Sequence, residues 1–350
     1  MTDPTAGSPG HLLTACRNQP ARLDKMAAPS RILVIRLTAI GDVVLTLPSV
    51  SVLRANFPSA KISFLTTREN SELLRGFRDV DETIVLNRSA LRGKNLFRIG
   101  GELLRLVRRV RAGRFSLAVD LQGNGESAWL ARITGAPQRW GIVHKAGRRW
   151  AYTQCADRIR DLHAAEMQLE LLRRCGLKIA GVRNEFLLPA DALAAAREFL
   201  VAQPFLPEKP LLFVQPFTSS PHKNWPLENY LALARHWQAL GWQVVFGGGP
   251  ADRVALAPAR DAGFAVSAGV PLLVTGGLMQ LSSLIVGGDT GALHLAVAQG
   301  KRVVMLMNHA RAGRPHPFRH IEWSLLPPVD RNIATIHLDA VIAMCEQVLA

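Results

Sequence analysis

The chain has 350 residues, of which 48% are hydrophobic and 20% charged, and its formal net charge at pH 7 is +15. This length is typical of two domains, and the apolar content excludes a wholly disordered chain. No apolar run reaches the ~18 residues of a membrane-spanning helix. The cysteines are scattered without zinc-ligand spacing, so we expect reduced thiols and no metal site.

The positive charge is concentrated in residues 105–114 and 145–149. Such charge fits three classes of partner, namely nucleic acid, an anionic membrane surface, or a polyanionic substrate. Because no RNA-binding motif with interleaved aromatic residues occurs, a phosphorylated, membrane-borne acceptor explains the charge at least as well as nucleic acid does.

The first 29 residues have no hydrophobic periodicity and no secretory signal core, so we expect 1–29 to be a disordered extension. Met26 lies four residues before Ser30, where strand-like sequence begins, and is a candidate initiator. The intact mass of the natively expressed protein tests this hypothesis.

Strands and helices alternate in the first half of the chain. The patterns predict strands at 31–37, 61–66, 83–86 and 116–121, and helices at 43–56, 103–110, 126–133, 163–175 and 192–200. This alternation is typical of a parallel sheet covered by helices on both faces.

The alternation starts again after a proline-rich linker at 204–210. Here the patterns predict strands at 211–215, 243–246, 283–288 and 303–307, and helices at 227–240, 291–300 and 339–349. We therefore expect an α/β protein of two doubly wound domains, 30–190 and 191–350, facing each other across a cleft. Ligands of such sheets bind beyond the carboxyl ends of the strands.

The loop after the first strand carries Asp42 at the start of a helix. By position alone, a helix-capping or first-turn carboxylate is the simpler interpretation, because the helix dipole favours negative charge there. The functional alternative is a general base that faces the cleft.

Two loops of the second half have the composition of anion-binding sites. Thr218 and Ser219 follow a strand, and Lys223 comes just before a helix. Hydroxyl groups, loop amides and a helix start suit a phosphate, although a polar turn is an equal alternative. The segment from Asp289 to His294 adds glycines and free amides at another helix start. His294 itself is either a core residue or a ligand-binding one.

Four motifs in this order resemble those of the glycosyltransferase family that includes the bacterial lipopolysaccharide heptosyltransferases. The resemblance extends from Arg31 to the C-terminus, and its motifs are RLTAIGDVVLTLP (36–48), DLQGN (120–124), KNWP (223–226) and GDTGALHLA (288–296). It implies a GT-B fold of two facing Rossmann-like domains. It also implies an enzyme that transfers a heptose or related sugar with inversion at the anomeric centre and without a metal ion.

The resemblance also assigns roles to residues. Asp42 would be the base that deprotonates the acceptor hydroxyl, and Lys223 would stabilise the departing charge. The donor-binding residues that it implies are Thr218, Ser219, Asp252, Asp289, Thr290, Gly291 and His294. Asp252 falls where the family often has a ribose-binding glutamate.

The implied donor is ADP-heptose, a substrate rather than a cofactor, and the resemblance implies no metal ion. The implied acceptor is an anionic glycolipid at the inner face of the inner membrane, and its phosphate-binding candidates are Arg132, Arg139, Lys145, Arg148 and Arg149. We expect a cytoplasmic monomer, peripheral to that membrane, that binds no nucleic acid.

Three alternatives stay open from the sequence. They are a non-catalytic protein of the same fold that binds nucleotide sugars or carbohydrates, a nucleotide-sugar epimerase, and, more distantly, a nucleic-acid-binding protein. The first is raised by 278–285, which runs almost directly into the glycines before Asp289. We expect the helix there to be shortened by a turn or more. The loop that begins at Asn308 also departs from the family pattern.

Overall fold

The computed structural model describes residues 28–88, 96–308, 316–328 and 332–350. Of the predicted extension, only Ala28 and Pro29 fall within these ranges, and Met26 lies outside them. The loop after Asn308 is outside the described residues as well.

The first half forms a six-stranded parallel sheet in the order β3-β2-β1-β4-β5-β6. Its strands are β1 Arg31–Ile35, β2 Lys61–Thr67, β3 Glu82–Leu86, β4 Leu117–Asp120, β5 Gln138–Val143 and β6 Gln154–Asp157. The first strand is flanked by β2 and β4, so the chain changes its direction of winding between β1 and β4.

Helices cover both faces of this sheet. They are α1 Ile40–Val44, α2 Leu47–Asn56, α3 Arg68–Ser71, α4 Leu96–Ala112, α5 Gly125–Ile133 and α6 Ala164–Arg174, with 3-10 turns at Glu72–Gly76 and Ala146–Ala151. The single helix predicted at 43–56 is two helices, because Pro48 lies in the first turn of α2. A proline is favourable in that position and cannot continue a preceding helix.

The second half repeats the arrangement, with the sheet order β12-β11-β10-β7-β8-β9. Its strands are β7 Leu211–Gln215, β8 Gln243–Phe246, β9 Ala265–Val266, β10 Leu284–Gly288, β11 Val303–Leu306 and β12 Ser324–Leu325. Here β7 is the first strand, and it lies between β8 and β10. The two sheets therefore have the same winding order.

The helices of this half are α7 Ala190–Val201, α8 Leu227–Ala239, α9 Ala257–Asp261, α10 Leu272–Leu281, α11 Gly291–Ala298 and α12 Leu338–Leu349. Short 3-10 turns occupy Pro221–Lys223, Pro250–Asp252, Ile321–Trp323 and Ile333–Thr335. The expected shortening before β10 is wrong, because α10 has ten residues. Gly276 and Gly277 let this helix pack closely, since a Cβ at Gly277 would lie 2.6 Å from the Cβ of Ala196 in α7.

The two halves share part of their hydrophobic core. One buried cluster joins side chains of the first sheet and its helices to Leu273, Leu295, Ala298 and Phe318 of the second half. The connecting segment is bonded to both halves, since Phe186 N–H donates to Ala298 O at 2.8 Å and Leu187 N–H donates to Gly76 O at 3.0 Å. The predicted boundary at residue 190 stays a prediction, because the packing here is continuous.

The cysteines differ from one another. Cys175 and Cys345 are free and buried, and burial raises the pKa of both thiols. Cys155 is disulfide-bonded, so the expectation of a reduced thiol is wrong there. Among the described residues, no helix is long and apolar enough to cross a membrane.

Candidate functional site

A cleft of about 900 Å³ lies between the two halves. It is bordered by the loops that follow β1 in the first sheet and β7, β8 and β10 in the second. In both sheets the winding direction changes next to the first strand, and parallel sheets bind ligands at such points. The predicted residues that line the cleft are Asp42, Thr218, Ser219, Lys223, Asp252, Asp289, Thr290, Gly291 and His294.

Asp42 lies in α1, with 38% of its side chain exposed. Its Oδ2 accepts the Ala39 N–H at 3.1 Å and lies 2.8 Å from Arg36 Nη2. Arg36 in turn donates from Nη1 to Leu121 O at 2.6 Å, which ties the carboxylate to the end of β4. Asp42 is thus both the first-turn carboxylate and a side chain of the cleft, and the two interpretations of it are compatible.

The loop that carries Asp42 is also held by Gln122, from the DLQGN motif after β4. Its Oε1 accepts the N–H groups of Leu37 at 2.7 Å and Thr38 at 3.3 Å. Buried hydrogen bonds of this kind fix a loop, because an unpaired amide would lose its solvation without compensation. Gln122 therefore positions the loop and does not face the cleft.

Asp120 fixes the turn that presents Gln122. Its Oδ1 accepts the N–H groups of Gln122 and Gly123 at 2.8 and 2.9 Å, and Tyr152 Oη donates to its Oδ2 at 2.6 Å. Burial raises the pKa of Asp120, and these hydrogen bonds oppose that effect. The DLQGN motif therefore has a structural role, because it holds the loop that carries Asp42.

The loop after β7 is organised by its own side chains. Thr218 N–H donates to Asn224 Oδ1 at 2.8 Å, and its hydroxyl donates to Ser220 O at 2.9 Å. Thr218 also packs against the end of β10, since a Cβ at Gly288 would lie 2.5 Å from its methyl group. Ser219 remains exposed at the rim of the cleft.

Asp289 lies between two basic side chains. Lys223 Nζ is 2.8 Å from Asp289 Oδ2, and His294 Nε2 is 3.6 Å from Oδ1, slightly beyond hydrogen-bonding distance. Burial raises the pKa of Asp289, but His294 and Lys223 together outweigh burial and lower it to about 2. The carboxylate is therefore ionised at neutral pH and aligned with the lysine.

His294 is buried, yet it lines the cleft. Neither of its ring nitrogens has a hydrogen-bond partner within the part of the chain that the structure describes. Buried polar atoms in native proteins usually have a partner. Nε2 faces Asp289 Oδ1 at 3.6 Å, so a ligand or water would be needed mainly for Nδ1. This favours the ligand-binding interpretation of His294 over the core interpretation.

The N-terminus of α11 faces the same space. Thr290 is its N-cap, and its hydroxyl accepts the Leu293 N–H at 3.4 Å. The other free amides of the first turn give this end partial positive charge, which is favourable for a phosphate.

The two halves touch beside the cleft at two glycines. A Cβ on Gly291 would lie 2.7 Å from Gly41 N and from Ile40 Cγ2. A Cβ on Gly41 would lie 3.0 Å from His294 Cδ2. Two helix starts, from α1 and α11, can therefore approach only because neither residue has a side chain.

Asp252 lies at the far end of the cleft, in the turn after β8. Its Oδ2 accepts the Gly249 N–H at 2.8 Å, which caps its own 3-10 turn. This hydrogen bond leaves Oδ1 for a ligand, so a ribose-binding role stays a prediction.

The candidate acceptor residues separate into two groups. Arg132 lies exposed in the last turn of α5, and Arg139, near the start of β5, donates to Ala151 O at 2.8 Å and Ala136 O at 2.5 Å. Both are at the edge of the sheet away from the cleft. Lys145 and Arg148 follow the carboxyl end of β5, and Arg148 donates to Gly123 O at 2.8 Å. Arg149 is paired with Asp157.

A second cavity, of about 490 Å³, was not foreseen from the sequence. Its lining includes His144, Arg158 and Arg160, at the carboxyl ends of β5 and β6. His144 Nε2 lies 3.0 Å from Gln122 O and must donate to it, so Nδ1 faces Arg158 Nη1 at 3.5 Å as an acceptor. Burial lowers the pKa of His144, and the positive charge of Arg158 lowers it further, so the imidazole is mainly neutral at pH 7.

Within the described ranges, no group of three or more His, Cys, Asp or Glu side chains is placed to hold a metal ion. The positively charged groups described above for the cleft are Lys223 and the N-terminus of α11. Arg36 and Gln122 are functional neighbours of Asp42 that were not predicted, although both lie within the motifs that carry the resemblance.

Known proteins agree with this architecture. The family model described as glycosyltransferase family 9 (heptosyltransferase) matches residues 103–322. Lipopolysaccharide heptosyltransferase 1 of Pseudomonas aeruginosa is 26% identical over 286 residues, which cover 77% of this chain and 76% of that protein.

Two solved structures have the same fold. The glycosyl transferase family 9 protein of Veillonella parvula superposes with a TM-score of 0.80 at 23% identity, covering 91% of this chain and 97% of that one. The E. coli ADP-heptose LPS heptosyltransferase II superposes with a TM-score of 0.75 at 21% identity, covering 91% of this chain and 98% of that one. The expected pair of facing Rossmann-like domains is confirmed, and the chain belongs to glycosyltransferase family 9 and is a glycosyltransferase.

Proposed function

We propose that this enzyme transfers a heptose from ADP-heptose to a lipopolysaccharide-core acceptor, with inversion and without a metal ion. The observation that carries the proposal is the cleft, which has Asp42 on one wall and the Lys223–Asp289 pair with the start of α11 on the other. The names of its relatives supply the sugar, the nucleotide and the acceptor.

The donor diphosphate would lie at the second wall. The amides at the start of α11 and the hydroxyl of Ser219 can donate to its oxygens. Lys223 carries three N–H donors, and Asp289 occupies one of them, so the others can reach the phosphates. Asp289 and His294 remain to bind hydroxyl groups of the sugar.

Asp42 has one carboxylate oxygen available for chemistry. Both of its described contacts, to Arg36 and to the Ala39 amide, fall on Oδ2. Oδ1 can therefore accept the proton of an acceptor hydroxyl that enters from the first half. The hold on Oδ2 keeps the carboxylate in a fixed orientation, which general-base catalysis requires.

The reaction is then a single displacement. The acceptor oxygen loses its proton to Asp42 and forms a bond to the anomeric carbon, while the bond from that carbon to the diphosphate breaks on the opposite face. One displacement inverts the anomeric centre. The charge that develops on the departing ADP is stabilised by Lys223 and the helix end, which perform the role of a cation.

We also propose that the enzyme works as a monomer at a membrane surface. Both walls of the cleft come from one chain, so a monomer is sufficient. The acceptor is anionic, and the basic residues at the carboxyl edge of the first sheet, including Arg158 and Arg160, would bind its charged groups. We propose that it meets this acceptor at the inner face of the membrane.

The test compares Asp42→Asn with wild type. The amide retains an oxygen for the Ala39 N–H, so the fold is kept while the base is removed. We expect transfer from ADP-heptose to fall about 100-fold or more, with the Kd for ADP unchanged. A suitable control is Glu72→Gln, which neutralises an exposed carboxylate that lines the same cleft.

Two results would contradict the proposal. If Asp42→Asn and Glu72→Gln reduce transfer from ADP-heptose equally, Asp42 is not the general base. Binding of ADP-heptose with no release of ADP by wild type, with any lipopolysaccharide-core acceptor, would instead identify a binding protein of the same fold.

A further inference from the structure

One layer of the first half combines exposed aromatic side chains with arginines. The layer consists of α4, α5 and the 3-10 turn Ala146–Ala151, each in contact with the next. Their inner sides pack in one buried cluster on the first sheet, which includes Leu106 of α4 and Leu130 of α5. We call the opposite, solvent-facing side of these three elements the outer face.

The outer face carries every Phe and Trp side chain that is exposed among the described residues. These are Phe97 at 93% exposure, Trp129 at 39% and Trp150 at 55%, one from each element. Leu104 of α4 is a further apolar member at 49%. Scattered apolar side chains are ordinary on a protein surface, but confinement of the exposed aromatic residues to one layer indicates a binding surface.

The spacing along α4 places apolar and basic groups side by side. Phe97 and Leu104 are seven residues apart, which is close to two full turns, so both point outward at nearly the same angle. Arg108 follows one turn later, and Arg105 lies beside Leu104; both are exposed. This is the pattern of an amphipathic helix that lies in the interface of a membrane.

Acidic residues pair with some of the arginines of this layer but not with all of them, and Asp157, for example, pairs with Arg149. Glu102 of α4 is 3.0 Å from Arg105, and Glu126 of α5 is paired with Arg88. The turn Ala146–Ala151 contains two arginines and no acid. Arg108 and Arg132 are exposed and have no ion pair within the described ranges, so the outer face keeps a net positive charge. This charge complements anionic headgroups at a surface where tryptophan is also favourable.

The location of the outer face suits an acceptor carried by lipid. Helices that follow parallel strands run back from the carboxyl edge of the sheet, so α4 and α5 begin at the edge that borders the cleft. Phe97 is in the first turn of α4. By this topology it belongs to the same edge of the sheet as the loop of Asp42. A bilayer that contacts Phe97 would therefore lie beside the opening of the cleft.

We propose that the outer face, through Phe97, Leu104, Trp129, Trp150 and the arginines beside them, docks on an anionic lipid bilayer. The proposal deepens the proposed function, because it states how the enzyme reaches a lipid-borne acceptor. The apolar side chains enter the headgroup region, and the arginines bind lipid phosphates. When the outer face is docked in this orientation, the cleft stays open toward the membrane surface.

The test measures co-sedimentation of the full chain with vesicles of phosphatidylcholine, with and without phosphatidylglycerol. We expect binding only to the anionic vesicles, weakened by salt. Phe97→Ser with Leu104→Ser should reduce the partition coefficient at least tenfold, and so should Arg105→Gln with Arg108→Gln. Matched controls in the second half are Val201→Ser with Leu240→Ser, and Arg197→Gln with Arg235→Gln, all exposed in the structure.

The outcomes separate docking from catalysis. ADP release with a water-soluble acceptor should be unchanged in the Phe97/Leu104 variant, while transfer to an acceptor embedded in anionic vesicles should fall. Equal binding by wild type and this variant would overturn the docking surface, as would equal losses in the controls. Tight binding of single-stranded RNA with no binding to vesicles would also overturn it. If the wild type binds anionic vesicles but releases no ADP with either acceptor, the proposed function is contradicted and the docking surface is not.

Discussion

Single side chains in this cleft do two things at once, and Asp289 is the clearest example. Its carboxylate is mostly buried, which disfavours its charge, yet Lys223 and His294 hold it ionised. Asp42 similarly combines a capping hydrogen bond with a place on the cleft wall. At this scale, structural and functional interpretations of a carboxylate are not alternatives.

Asp289 should make the free energy of unfolding depend on pH in the acidic range. Its pKa in the folded protein is about 2, below the ordinary value of 3.8, so its contribution is complete above about pH 4 and is lost as the pH falls through 2. The free energy of unfolding of wild type relative to Asp289→Asn should therefore decrease by about 2 kcal/mol between pH 5 and pH 2, and by about half of that at pH 3. Urea unfolding at several pH values measures it. A difference independent of pH would show that the charges beside Asp289 do not act as described.

The two tyrosines of the chain provide a matched pair. Tyr152 Oη donates to the buried Asp120, whereas Tyr230 Oη is buried without a partner among the described residues. Tyr152→Phe should lower the free energy of unfolding by about 2 kcal/mol, because it leaves a buried carboxylate short of a donor. Tyr230→Phe should change it by less than about 0.5 kcal/mol or raise it. Urea denaturation of both variants measures the difference, and equal effects would contradict the assignment.

Loops and helix starts place these side chains. The site residues come from the loops after β1, β7, β8 and β10, and each loop leads into a helix or turn that begins at the cleft. The backbones of the two halves approach each other closely at Gly41 and Gly291, where two such elements meet. Backbone packing there requires the absence of side chains.

Gly291→Ala should separate the two walls of the cleft. The added methyl group would lie 2.7 Å from Gly41 N, and overpacking of this kind costs about 1–3 kcal/mol. We expect kcat/KM for transfer to fall at least tenfold. Gly125→Ala is the matched control, since Gly125 also begins a helix and has open space around it. Equal activities of the two variants would contradict a close contact in the working enzyme.

The molecule as a whole is joined by more than a linker. A buried cluster includes residues of both halves, and the segment before α7 is hydrogen-bonded to each of them. Separate domains with a small polar interface usually move and unfold independently. A shared hydrophobic core couples them.

We therefore expect the protein to unfold in urea in one transition. Tryptophan emission and far-ultraviolet circular dichroism should give coincident curves, because loss of either half exposes the shared cluster. Leu273→Ala should lower the single midpoint. Two resolved transitions, one for each half, would show that the cluster contributes little to the coupling.

Much of the fold was determined by the sequence alone. Runs such as Ile32–Ile35 and Leu212–Val214 are apolar throughout, and a parallel sheet covered on both faces buries such strands completely. The four motifs, in their order, also identified Asp42, Lys223 and the Asp289 loop as parts of one site. Local pattern was sufficient wherever an element buries a continuous apolar segment.

The remaining features depend on contacts between elements that are distant in the chain. Strands β5, β6, β9 and β12 were missed, because they are short or polar and are stabilised by their neighbours in the sheet. The cavity of His144, Arg158 and Arg160 follows from β5 and β6, so it was missed with them. Helix α10 was expected to be shorter than it is, because its pattern is apolar on all sides and its length is set by its burial between α7 and α11. The sequence determined which residues form the two walls of the cleft, whereas their distances, and the aromatic outer face, depend on elements that are distant in the chain and meet only in the folded protein.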